Sequence, residues 1–192
     1  VILLADGSYN SLSPDKIRQF VQNGGTVVGI GGGLKWLAKQ NLLPADFRTS
    51  MPDKNVRRPY GGAEEDLGAR RLPGCIFEAF LDLTHPLCYG YTRDKLPVFL
   101  GDSIFMDVPT NPYAAPVIFT ENPLLAGYVH PKFLPLAKNA AAAVVGSIGS
   151  GRLIGFAGDP NFRSFWYGTN RLLTNAIFFG NLISGDTVVR GK

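Results

Sequence analysis

A chain of 192 residues, 45% hydrophobic and 18% charged, is long enough to bury a core and short enough to form one domain. Its net charge of +4 comes from 19 basic and 15 acidic residues with no sustained basic run, which argues against a nucleic-acid groove. Two cysteines, Cys75 and Cys88, make neither a disulfide framework nor a zinc-ligand set, and no run of about 18 apolar residues is present to span a membrane.

Residues 1–5, closed by Asp6-Gly7, read as a buried strand ending in a turn. A chain that opens inside an apolar run without Met is expected to be a piece of a longer precursor. Ser13-Pro14 supplies an N-cap and an N1 proline for a helix through about Gln22, with Ile17, Phe20 and Val21 at spacings of three and four and Gly24-Gly25 as its stop. The continuous, β-branched stretch Thr26–Ile30 predicts a buried parallel strand, and Gly31-Gly32-Gly33 leads into a second helix carrying Leu34, Trp36 and Leu37. Strand, helix, strand, helix predicts an α/β fold with a doubly wound, mostly parallel sheet.

Residues 44–72 concentrate charges of both signs among prolines and glycines, which predicts a surface loop insertion more mobile than the sheet over residues 50–70. Pro97, Pro109, Pro112 and Pro116 break the middle of the chain into brief strands and turns. Regularity returns at the strand Ala141–Ile148, which ends in Gly149-Ser150-Gly151, a hairpin-like turn into a strand over residues 152–157. A final helix starts at Thr169 as its cap and presents Leu172, Leu173, Ala176, Ile177 and Phe179 as its apolar face.

In open α/β sheets ligands sit beyond the carboxyl ends of the strands, which directs attention to residues 29–33, Thr84-His85 and residues 158–163. Gly29-Ile30-Gly31-Gly32-Gly33 has the small-residue spacing of a nucleophile elbow, but its middle residue is Gly31, which has no side chain to attack anything. As a phosphate cradle the turn lacks the third glycine of G-x-G-x-x-G, because Leu34 stands there, and no G-K-[ST] follows. Gly32, His85 and Arg163 are candidates to line the crevice, with Arg163 able to grip a carboxylate or phosphate through two hydrogen bonds. The competing reading makes His85 a capping or packing residue before Pro86, and pairs Arg163 with Asp159 four residues earlier. His130 also precedes a proline, at a helix entry, and no metal site is expected from two histidines with no grouped Cys or carboxylate. Trp166 and Tyr167 are either core or an exposed surface for a partner domain or a sugar.

The run from Gly24 to Gly33 and residues 149–163 resemble a class I glutamine amidotransferase-like, flavodoxin-like domain. In that family a late strand leads into His-Pro-Glu, which carries two members of the catalytic triad; Asp159, Pro160 and Asn161 stand here. The resemblance implies a degenerate triad of Gly31, Asp159 and Asn161, unable to release ammonia from glutamine. A narrower resemblance uses residues 5–9, 24–37, 73–77, 84–87, 159–163 and 173–178, which are similar in order and spacing to the amidotransferase-like C-terminal domain of some bacterial zinc carboxypeptidases of the carboxypeptidase A class. It implies a non-catalytic accessory domain without a cofactor of its own, partnered by an upstream peptidase domain that holds the zinc and the catalytic Glu, in a secreted or periplasmic protein. It also implies an upstream strand and helix that cover the edge of the first strand. The alternative is a carbohydrate-related or small-metabolite-binding module similar to trehalose-utilisation-like domains, with a small ligand in the crevice.

Overall fold

The computed structural model describes residues 1–49, 57–68, 72–131 and 133–191. In chain order the elements are β1 (Ile2–Leu4), α1 (Pro14–Gln22), β2 (Thr26–Ile30), α2 (Gly32–Lys39), α3 (Ala63–Gly68), β3 (Cys75–Leu81), β4 (Lys95–Leu100), β5 (Val117–Gly127), α4 (Leu134–Ala137), β6 (Ala141–Ile148), β7 (Gly151–Phe156), α5 (Tyr167–Phe179) and β8 (Val189–Arg190). The first four follow the residue chemistry closely. Ser13 Oγ accepts the Lys16 N–H at 3.4 Å, Pro14 occupies the first turn of α1, and Gly24 leaves the helix at φ 95°. Every residue of β2 is buried, as a continuous apolar strand requires.

These strands form one mixed sheet in the order β1-β2-β7-β6-β5-β3-β4, with β8 added beside β6. The expectation of a mostly parallel sheet is corrected here. Only β1–β2, β2–β7 and β6–β8 pair in parallel, while β3–β4, β3–β5, β5–β6 and β6–β7 are antiparallel. A parallel neighbour needs a crossover of a dozen or more residues, usually a helix. β6 and β7 are joined by the tight turn at Gly149 (φ 57°) and Ser150, so they can pair only as a hairpin. Pro109, Pro112 and Pro116 lie in the turns between β4 and β5 as expected, whereas Pro97 sits inside β4, and β5 is an 11-residue strand containing Pro123. Its ladder with β3 shifts register between the pairs Ala79–Phe119 and Phe77–Leu124, and Pro123 falls in that gap, where no ladder donor is required.

Helices cover both faces of the parallel half. A Cβ on Gly29 would strike Leu37, and one on Gly155 would strike Leu34, so α2 lies over that face. Thr26 and Ile154 point the other way by the two-residue period of a strand and approach Gly180 just beyond α5. The sheet then curls. β4 is at the far end of the strand order from β1, yet Phe99 stacks on Phe162 at 3.8 Å and Trp166 Nε1 donates to the Pro97 carbonyl at 3.2 Å, both of them beyond β7.

The two edges differ. β4 carries Lys95 and Pro97, which discourage pairing with another chain, whereas β1 leaves Val1 and Leu3 exposed beside unpaired backbone. Within residues 44–72, Phe47 bridges Met106, Arg48 donates to Asp107 and to the Lys138 carbonyl at 2.7 Å each, and α3 supplies one short helix. Residues 50–56 and 69–71, on which much of the expected mobility falls, lie outside the described residues.

α5 begins two residues before the expected cap. Thr169 is buried inside its first turn, where Oγ1 donates to the Pro160 carbonyl at 2.7 Å, and Phe179 points to solvent rather than to the core. Asn175, 4% exposed, fastens the helix to the chain after β3 by donating Nδ2 to the carbonyls of Leu87 and Tyr89, each at 2.9 Å. Asn175→Ala orphans both acceptors at once and should cost about 2–3 kcal/mol. Urea unfolding should show this as a lower midpoint, with the neighbouring Thr174→Ala almost silent.

Candidate functional site

At the end of β2 the backbone of Gly31 takes φ 54° and ψ −112°, a strained strand-to-helix turn. Its N–H donates to the Phe156 carbonyl at 3.3 Å, which sets the turn against the end of β7. Gly31 can offer α2 no capping side chain, and Asp6 does so from the end of β1, with Oδ1 accepting the Gly32 N–H at 2.7 Å. The three glycines have steric causes. A Cβ at position 31 would lie 2.8 Å from Asp6 Oδ1, one at 32 would enter the Gly7 carbonyl, and one at 33 the Leu4 carbonyl. Gly32 is therefore packed on the β1 turn instead of standing as an open crevice wall. Beside it the Tyr9 hydroxyl donates to the Ala5 carbonyl at 2.7 Å, and burial, then the nearby Asp6 charge, raises its pKa.

Asp159 and Asn161 lie at the same end of the sheet, because β2 and β7 run parallel with Ile30 opposite Phe156. Asp159 Oδ1 accepts the Asn161 N–H at 2.8 Å, folding the segment over Pro160. The Asn170 amide donates to Asn161 Oδ1 and to the Pro160 carbonyl, each at 3.0 Å. The segment Asp159-Pro160-Asn161 thus holds the start of α5. Asp159 does not pair with Arg163. The Arg163 guanidinium lies over the Phe162 ring at 5.2 Å, on a backbone at φ 49°, followed by Ser164 at φ 55°. Lys35 Nζ meets Asp102 Oδ2 at 2.6 Å and ties α2 to the chain after β4, but both partners are half exposed and add little stability.

His85 is not part of this constellation. β3 runs opposite to β2 and β7, so its carboxyl end, and His85 beyond it, lies where β2 and β7 begin. The capping reading holds: Nδ1 accepts the Leu87 N–H at 3.1 Å, while Nε2 is buried without a partner. Burial pushes the imidazole down to about 4, against a smaller upward pull from Asp82. His130 is buried at the entry to α4. Cys75 and Cys88 are free and buried, and burial lifts both thiols to about 12, far from the range of a reactive thiolate. Among the described residues, no three His, Cys, Asp or Glu side chains gather to hold a metal ion, and no helix is long and apolar enough to cross a membrane.

Sequence reading missed Asp6 as a cap. Asp-Gly after a strand signals a turn, but nothing local links it to an N–H 26 residues later. Compared with models of known protein families and with functionally characterised proteins, the chain matches none.

The elbow generates a double-mutant test. Gly31→Ala should destabilise by about 1–3 kcal/mol through its backbone strain and its contact with Asp6. Asp6→Ala should cost about 1 kcal/mol as a lost cap. The two together should cost less than their sum, because the clash disappears with the carboxylate; additive losses in urea melts would mean that Asp6 does not confine position 31.

His85 generates a pH test. Its folded pKa, near 4, lies below the unfolded value near 6.5, so the unfolded chain binds the extra proton first. This contribution to stability is complete above about pH 6.5 and falls by up to about 3 kcal/mol toward pH 4. His85→Asn keeps an acceptor for Leu87 and should flatten that slope; denaturant melts between pH 7 and 4 would decide.

Proposed function

We propose that this chain is a catalytically inert domain of the class I glutamine amidotransferase-like, flavodoxin-like type that serves a zinc carboxypeptidase of the carboxypeptidase A class as an accessory module. The elbow carries the inert part of this reading. A nucleophile at position 31 would need a side chain and a free N–H after it to stabilise the developing oxyanion. Gly31 supplies no nucleophile, and the Gly32 N–H is already occupied by the Asp6 carboxylate. Asp159 and Asn161 supply no imidazole base, and their polar atoms hold the loop and α5 together.

The parallel half, β1-α1-β2-α2 with β7 and α5, supports the family resemblance. The antiparallel strands β3 to β6 are an addition to it. The link to a peptidase rests on the order and spacing of residues 5–9, 24–37, 73–77, 84–87, 159–163 and 173–178. In this reading the zinc and the catalytic Glu belong to an upstream domain of the same secreted or periplasmic protein. The present chain stabilises or docks that domain, and the exposed edge of β1 is a natural place for it to do so.

The reading is tested on the gene and on two proteins. The frame upstream of Val1 should encode an H-x-x-E zinc-ligand pair, and the full-length product should release C-terminal amino acids only with zinc bound. Residues 1–192 alone should release none and should leave glutamine intact. A frame without a peptidase domain removes the peptidase link, whereas turnover of either substrate by residues 1–192 removes the inert reading.

A further inference from the structure

Besides the Asn175–Leu87 bond, three hydrogen bonds pin the chain after β3 along one side of α5. The Tyr91 hydroxyl donates to the Gly168 carbonyl at 2.6 Å, Arg171 Nη1 to the Gly90 carbonyl at 2.5 Å, and Asn175 Nδ2 to the Tyr89 carbonyl at 2.9 Å. Beside this seam lies a groove of about 570 Å³, within the range of small-ligand sites. Aromatic rings of Tyr89, Tyr167 and Phe179 line it, Tyr89 and Phe179 being 6.2 Å apart between centroids. Tyr167 is 77% exposed and Tyr89 42%, so neither ring is used up by the core.

The polar lining narrows the occupant. The two N–H groups of the Asn175 amide are spent on two carbonyls and those of Asn170 are shared among three neighbouring oxygens, which leaves each amide oxygen as the acceptor side. The Thr174 hydroxyl donates to the Asn170 carbonyl at 3.0 Å and likewise keeps acceptor lone pairs. Arg171 is the one charged residue of the lining, already held by Gly90 and lying 5.7 Å from the Tyr91 ring centre. An anion would face these acceptor oxygens, a cation would face Arg171, and a wholly apolar ligand would leave the oxygens unpaired. A neutral ring with an apolar C–H face and hydroxyl groups at its rim meets every condition: rings take the face, oxygens take the hydroxyl protons, and the remaining Arg171 N–H groups take hydroxyl oxygens.

We propose that the groove between α5 and the Tyr89-Gly90 turn is a binding site for a neutral saccharide, with Tyr89 and Tyr167 as stacking platforms. Along α5 the rims from Tyr167 to Phe179 span roughly 18 Å, enough for a short oligosaccharide. The groove shares no residue with the Gly31 elbow, so this site and the accessory-domain reading stand or fall separately.

The test is an NMR titration of the isotope-labelled full chain with neutral oligomers of glucose, mannose and N-acetylglucosamine, alongside an oligomer of a uronic acid and a proline-rich peptide. At least one neutral oligomer should shift the Gly90 amide and the side-chain amides of Asn170 and Asn175 in a saturable way. Tyr167→Ala should weaken that binding roughly tenfold with no change in the urea midpoint, since the ring is solvent-exposed. Thr174→Lys, which fills the groove from an accessible position, should abolish it. The proposal is overturned if no neutral oligomer gives saturable shifts, if Tyr167→Ala leaves the affinity unchanged, or if only the uronic acid or the peptide binds.

Discussion

The first turn of α2 lies so close to the end of β1 that no side chain fits between them. Gly32 and Gly33 face the backbone carbonyls of Gly7 and Leu4, and Gly31 faces the Asp6 carboxylate. Much of the parallel half follows from this contact. It lets the Asp6 oxygen reach the Gly32 N–H and cap a helix whose own N-cap residue has no side chain. It also fixes Gly31 at a positive φ, with its N–H on the Phe156 carbonyl, which brings the ends of β2 and β7 together. Gly31 offers no side chain at this turn, and the amide that follows it is filled by the Asp6 carboxylate. The turn serves as a joint between β1, β2 and α2.

The antiparallel half has a different origin. The two-residue turn between β6 and β7 leaves no room for a crossover helix, and the longer link from β3 to β4 is folded into turns with only a short 3-10 segment, so both strands return beside their predecessors. The sheet curls until β4 touches the segment beyond β7 through the Phe99–Phe162 stack and the Trp166–Pro97 hydrogen bond. That closure decides the fate of α5. Its inner side packs Leu172 and Ala176 into the core, Asn175 bonds the turn after β3, and Tyr167 and Phe178 remain in water. The exposed Tyr167 is thus a consequence of how the helix is gripped, and with Tyr89 and Phe179 it lines the proposed saccharide groove.

Buried polar groups mark where the architecture is most constrained. Asn175 is satisfied twice over by the carbonyls it joins, whereas the His85 Nε2 and the Thr120 hydroxyl are enclosed without partners. For His85 the enclosure and the Nδ1 cap together favour the neutral ring, which makes it a structural element sensitive to acid. Its position at the β3 end separates it from Gly31, Asp159 and Asn161, although the sequence places all of them at carboxyl ends of strands.

Elements whose signal is local were legible in the residues. Ser13-Pro14 started α1, Gly24-Gly25 ended it, and the unbroken apolar runs of β2 and β6 could only be buried strands. The absence of a nucleophile was equally plain, because a glycine carries no reactive atom wherever it is folded. What the residues could not convey was anything set by partners distant in the chain. The antiparallel pairing of β3 to β6, the placement of Pro123 in a register gap, and the opposite-end position of His85 depend on which strands meet. Asp6 reaches an amide 26 residues away and Asn175 reaches a carbonyl 88 residues away, and no periodicity encodes such separations. Local propensity and hydrophobic period thus determined the elements and the missing chemistry of the elbow. Tertiary structure alone decided the sheet's direction, its closure and the exposed face of α5, since those arise from long-range hydrogen bonds and close approaches that exist only once the chain is packed.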